Sequence, residues 1–175
     1  MNKIKQIISR MLVLAIIYSC LSMYSTELKA TNTFTLFHQS ASVAPGANVC
    51  IDVTTKNFTA IAALQYDIVY PTDLLQFNSI INLNPALTNL LYNESPLGNV
   101  KVTWLDGNTT GVDLPDGTVL YQMCFTAVGS TGSMTDVYYN ANSIVEVISG
   151  VTVDFVPWVI VDGNIKVGNL SLIHI

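Results

Sequence analysis

The chain has 175 residues, half of them hydrophobic and 11% charged, with a formal net charge of -5. That length holds one domain and a leader. From Thr31 onward three lysines face eleven carboxylates, a net -8, which leaves too few cations for nucleic-acid phosphates or for an anionic membrane surface.

Residues 1–30 read as a secretory signal peptide. Lys3, Lys5 and Arg10 open it, an apolar run follows from Met11, and Ala30 stands where cleavage is expected. The apolar run is too short and too interrupted to span a bilayer. Ile17-Tyr18-Ser19-Cys20 resembles a bacterial lipoprotein box, and in that alternative Cys20 carries a lipid anchor. Both readings place the mature domain outside the cytoplasm, secreted or on the cell surface.

The mature chain alternates apolar and polar residues in short runs, the period of half-buried strands. Residues 33–38 (TFTLFH) form the first. After the Pro45-Gly46 turn, Val49, Ile51 and Val53 share one face of the second, opposite Cys50, Asp52 and Thr54. In the third, residues 61–70, Leu64, Tyr66 and Ile68 point one way and Ala63, Gln65 and Asp67 the other. Pro71 ends it, and residues 74–81 form a fourth strand. Residues 85–92 (PALTNLLY) fit either two helical turns or an ordered loop with a weak strand. Residues 99–105 return to strand, with Val100, Val102 and Trp104 on the apolar face.

Pro115-Asp116-Gly117 is a tight turn into the longest run, expected as a central strand. Val119, Tyr121, Met123, Phe125 and Ala127 take its core face; Leu120, Gln122, Cys124 and Thr126 take the other. Strands at 134–140, 144–148, 151–161 (interrupted by Pro157) and 164–167 complete residues 31–168 as one all-β domain. Many short strands with Gly, Pro and Asn turns predict a β-sandwich or jelly roll, with Tyr66, Trp104, Tyr121 and Phe125 in its core. Residues 169–175, including His174, break the pattern. They read as translated adapter sequence, with a short run-on strand as the alternative.

No constellation for catalysis or metal binding stands out. His38 has no Ser or Cys partner in sequence pattern, and no zinc set exists. Asp106-x-Asn108-x-x-Gly111 begins like a calcium loop, but Gly117 replaces the closing acid, so a polar hairpin loop is expected. Asp113 and Asp116 flank a turn and are expected to cap backbone groups. Tyr92, Tyr138, Phe155 and Trp158 are the rings available for stacking on sugar.

Several stretches in order resemble the cohesin family, in the form carried by secreted proteins of Bacteroidetes-type bacteria. They are Pro45-Gly46-x-x-Val49-x-Ile51-x-Val53, Asn57-Phe58, Leu64-x-Tyr66-x-Ile68-x-Tyr70-Pro71, Val102-Thr103-Trp104, Asp116-Gly117 through Phe125, and Asp162-Gly163-x-Ile165-x-Val167. The resemblance implies a nine-stranded jelly-roll sandwich without catalysis. One sheet face would dock a dockerin, a small calcium-loaded module on a secreted polysaccharide-degrading enzyme. Where cellulosomal cohesins place an Asn and an Asp, this chain has Ala63 and Gln65. The resemblance assigns the partner face to Ala63, Gln65, Asp67, Lys101, Thr103, Leu105, Asp136 and Tyr138. It also makes the strands of Cys50 and Cys124 neighbours, so these two are expected as a structural disulfide. The alternatives are a carbohydrate-binding module of the same sandwich class, taking polysaccharide, and a structural spacer in a large adhesin.

Overall fold

The computed structural model describes residues 33–139, 146–149 and 156–168; the expected signal segment with Cys20, the tail with His174, and Phe155 lie outside these. Within them the apolar/polar alternation becomes two facing sheets, and the chain is a β-sandwich. The first sheet holds β1 (Phe34–His38), β3 (Asn48–Lys56), β5 (Leu75–Ile81), β9 (Val119–Ala127) and β12 (Trp158–Val161). Its order is β12-β1-β3-β9-β5. The second runs β2 (Ala41–Val43), β13 (Gly163–Val167), β10 (Met134–Tyr139), β4 (Phe58–Val69), β7 (Asn99–Leu105), β6 (Leu91–Glu94). Two further strands, β8 (Val112–Leu114) and β11 (Glu146–Ser149), also pair with β4. The region 85–92 contains both expected alternatives, a 3-10 turn at Pro85–Leu87 and then β6.

The core lies between the sheets. Leu64, Tyr66 and Ile68 face Ile51, Val53, Tyr121, Met123 and Phe125, all at most 2% exposed. Rings tie the layers at two levels: Phe34–Phe58–Trp104 (centroids 5.5 and 6.2 Å apart) and Tyr70–Phe125–Phe77–Tyr92 (5.2, 5.8 and 5.9 Å). Each such pair adds about 1 kcal/mol beyond its buried area. Between them the hydroxyls of Tyr66 and Tyr121 hydrogen-bond to each other across the sandwich.

The strand β9 is paired on both sides, by β3 and β5, as its pattern predicts. Two residues depart from that pattern. Leu120, expected on the polar face, is fully buried, and Val119, expected on the core face, pairs with outward Thr54 and is only half-buried. The register steps from Val53↔Tyr121 to Thr54↔Val119, so Leu120 is the extra residue of a bulge. A bulge puts two residues opposite one and breaks strict alternation.

The turn residues act as their chemistry requires. Asn57 and Ala60 are left-handed (φ 56 and 51), and Asp116 and Asp113 accept from their respective backbone N–H groups at 2.8 and 2.6 Å. Both aspartates are therefore backbone caps. Gly111 packs on Ala60 so closely that a Cβ would stand 2.5 Å from its carbonyl oxygen.

The chain changes sheets twice at one corner. The ribbon β1–β2 leaves the first sheet for the second, and β12–β13 does the same beside it. The pairs β1·β12 and β2·β13 are both parallel. Gly163 makes this crossing fit, since a Cβ there would lie 2.7 Å from the His38 carbonyl oxygen.

Candidate functional site

The two outer faces differ in chemistry. On the five-stranded sheet, polar side chains join β3, β9 and β5 in rows. Thr126 Oγ1 donates to Asn48 Oδ1 (2.7 Å) and accepts from Asn78 Nδ2 (3.0 Å). Gln122 Nε2 donates to Asp52 Oδ1 (2.7 Å), and Gln122 Oε1 accepts from Asn82 Nδ2 (2.6 Å). Between these rows lies the Cys50–Cys124 disulfide, joining directly paired residues with Cα atoms 4.0 Å apart. These two rows are bonded within themselves, and the same face also exposes Ile81, Val159 and Val161.

The outer face of the eight-stranded sheet carries all eight residues assigned to the partner face. Ala63, Gln65 and Asp67 of β4 lie opposite Leu105, Thr103 and Lys101 of β7. Tyr138 of β10 pairs with Val69, and Asp136 with Asn164 of β13. Register adds Leu91 and Asn93 of β6, opposite Thr103 and Lys101. Sequence reasoning missed these two because residues 85–92 fit helical turns or a weak strand and no strand was assigned from there to residue 98. Leu91, Leu105 and Tyr138 are 71%, 57% and 42% exposed. The result is a sheet surface with exposed apolar groups among Gln65, Lys101 and Thr103. Asp67 departs from its expected role: it faces the same side but is only 7% exposed.

Among the described residues the ring candidates for sugar stacking do not form a row. Tyr138 is on this face, Tyr92 packs edge-on against Phe77, and half-buried Trp158 packs on the core. Asp106 is occupied by its own loop, accepting from Asn108 N (3.1 Å) and Gly111 N (3.0 Å). The loop is polar as the sequence predicts, but it is not a hairpin: β7 and β8 both pair antiparallel to β4, so they run the same way along it with residues 106–111 looped out between them.

The titratable groups with displaced pKa values are structural in their contacts. His38 is buried, its Nδ1 3.3 Å from the Val137 carbonyl, and burial lowers its pKa against the opposing pull of that carbonyl and Asp162. Burial raises both Tyr66 and Tyr121. Tyr70 is pushed up to about 12, by burial first and then by its bond to Glu94. Tyr70 also lines a cavity of about 240 Å³ with Thr72, Leu75, Gln76, Leu97 and Val128, a lining that holds no nucleophile–base pair.

No protein-family model matches the chain, and no curated protein matches it. Solved structures do. The sixth cohesin of Acetivibrio cellulolyticus scaffoldin B, in complex with a Cel5 dockerin, is 18% identical with a TM-score of 0.67, covering 78% of this chain and 99% of that one. CaCohA2 from Clostridium acetobutylicum is 17% identical at 0.68, covering 81% and 94%. A non-cellulosomal cohesin from the archaeon Archaeoglobus fulgidus is 16% identical at 0.65, covering 79% and 94%. This chain has the cohesin fold.

Proposed function

We propose that this domain is a non-catalytic docking module, exported to the cell surface or a secreted polysaccharide-degrading assembly, that takes a dockerin-type protein on the outer face of its eight-stranded sheet. The observation that carries the reading is the exposure of Leu91 and Leu105 (71% and 57%) with Tyr138 on that face, greater than that of Ile81, Val159 and Val161 (40%, 47% and 43%) on the other, whose polar rows are internally bonded. Exposed apolar groups within a polar surround are the composition of a protein-binding patch. Several structures of the same fold are complexes with dockerins, which supports a partner of that kind. Two of the domain's three lysines, Lys101 and Lys166, lie on strands of this sheet. They relieve its share of the acidic surface and suit a calcium-loaded acidic partner.

The test is capture by the immobilised chain from secreted proteins, in calcium and in chelator. Calcium-dependent capture of a protein with paired D-x-N-x-D loops, lost in Leu105→Asp, is the expected result. No capture, with retention on insoluble polysaccharide that Tyr138→Ala abolishes, overturns it in favour of a carbohydrate-binding module. Neither form of binding would indicate a spacer.

A further inference from the structure

The outer face of the eight-stranded sheet continues past Tyr138 into a hollow at its far edge. Met134, Asp136 and Tyr138 share the outward side of β10, and Met134 is 65% exposed. Register carries the row of Met134 on through Lys166 of β13 to Ser42 of β2, and the row of Asp136 to Asn164. Ser40 ends that second row, its Oγ accepting from Asn164 N at 3.1 Å. Met134, Lys166, Ser42, Asn164 and Ser40 line a hollow of about 320 Å³. The side chains of Lys166, Ser42 and Asn164 have no hydrogen-bond or ion-pair partner among the described residues. Among those residues the only charge in the lining is the Lys166 ammonium, in a domain where eleven carboxylates outnumber three lysines. Asp136 stands one row away and makes no ion pair with it among the described residues.

We propose that this hollow is the charged end of the docking surface and takes a carboxylate side chain of the partner protein. Lys166 Nζ receives the carboxylate, the Ser42 hydroxyl and Asn164 amide supply further donors, and Met134 packs on the carbons beside it. This rests on the docking reading and extends the contact from β4, β6 and β7 across β10 and β13 to β2. A carboxylate only accepts hydrogen bonds, and an ammonium only donates them, so the bond is charge-assisted. Methionine is flexible and polarizable enough to fit a varied apolar neighbour. The rest of the acidic domain repels a carboxylate, so Lys101 and Lys166 restrict where the partner's acids can land, which sets its register. The hollow opens on the same face as Tyr138, and that continuity favours a docked protein as the occupant. One solvated lysine holds a free carboxylate weakly, whereas a carboxylate on a body already docked arrives at high effective concentration. A partner seated there would also tie β2, β13 and β10 to one another from outside.

The experiment measures the affinity of the chain for the dockerin-type protein it captures, at low and at physiological salt, with hydrogen exchange on the complex. Lys166→Glu is expected to weaken binding about 30-fold and Lys166→Met about 5-fold, both with a flatter salt dependence. Lys56→Glu changes the net charge equally but lies on the other sheet, and should stay within about twofold of wild type. Binding should slow exchange at residues 41–43 and 164–166 as well as along β4 and β7. A Lys166→Glu chain that loses no more affinity than Lys56→Glu overturns the proposal, as does a complex in which residues 41–43 and 164–166 gain no protection. Capture that Leu105→Asp abolishes and Lys166→Glu leaves unchanged would keep the docking reading while this extension of it failed. A wild-type chain that captures no dockerin-type protein overturns both, and Lys166-dependent retention on polygalacturonate would then assign the hollow to an acidic glycan.

Discussion

The two outer faces of the sandwich both expose apolar groups, Ile81, Val159 and Val161 on one and Leu91, Leu105 and Tyr138 on the other, but they treat their polar side chains differently. Across β3, β9 and β5 the polar groups are bonded to one another and a disulfide joins two of the strands. Across β6, β7, β4 and β10, Leu91, Leu105 and Tyr138 stand in solvent, and Asp67 and Asn99 retain unfilled acceptors. One face contributes stability. The other leaves contacts unmade that a ligand can complete, and such groups are commonly retained at a cost to stability.

This contrast can be broken by mutation. The largest effect is expected from Cys50→Ser with Cys124→Ser. The bridge closes a loop across a sequence separation of 74, worth about 4 kcal/mol in the loop-entropy account. Urea unfolding should show that loss while partner capture in the folded protein is unchanged. If capture fails in the folded variant, the two faces are not independent.

Next is the hydroxyl pair that joins the layers behind the faces. Tyr66→Phe leaves the Tyr121 hydroxyl buried and unpaired, costing about 1–3 kcal/mol, whereas Tyr66→Phe with Tyr121→Phe should cost less than either single change. A double-mutant cycle of unfolding free energies checks this.

A smaller, pH-dependent effect belongs to His38. Its folded pKa lies below the ordinary 6.5 because burial disfavours the imidazolium. The unfolded chain therefore binds the proton first. Stability is full above pH 6.5 and declines as pH falls from there toward the lowered folded pKa. Urea midpoints from pH 7.5 downward should show a slope in that window that His38→Leu removes, leaving the carboxylates to act at lower pH.

The smallest stability change is expected at Leu105→Asp, within about 0.5 kcal/mol because the side chain is already in solvent. The same substitution should abolish partner capture, so a stability assay and a capture assay would rank these variants in opposite orders.

The sequence carried more of the fold than of the site. Val49-x-Ile51-x-Val53 and Leu64-x-Tyr66-x-Ile68 state their inward faces through period alone, because neighbouring side chains on a strand point to opposite sides. Leu120 could not be placed that way. A bulge is a property of two strands, defined by how many residues the partner presents. The three-residue strands β2 and β8 are too short to show a period. At the site, parity put Gln65 and Thr103 on one face, but only register shows that they oppose each other. Asp67 illustrates the limit of the method. Its side was readable, but its burial depends on neighbours supplied by other strands.

The parallel ribbons at the sheet-changing corner have a mechanical consequence. The segment β1–β2 leads into the domain and β12–β13 leads out, and they lie side by side with their strands pointing the same way. Tension between residues 34 and 167 would slide one ribbon along the other. It would load the bonds from Phe34↔Trp158 to Phe37↔Val161 and from Ile165↔Ala41 to Val167↔Val43 together, in shear, instead of peeling them one at a time. A domain that holds a load against flow would gain from that geometry, since rupture then requires many hydrogen bonds to fail at once.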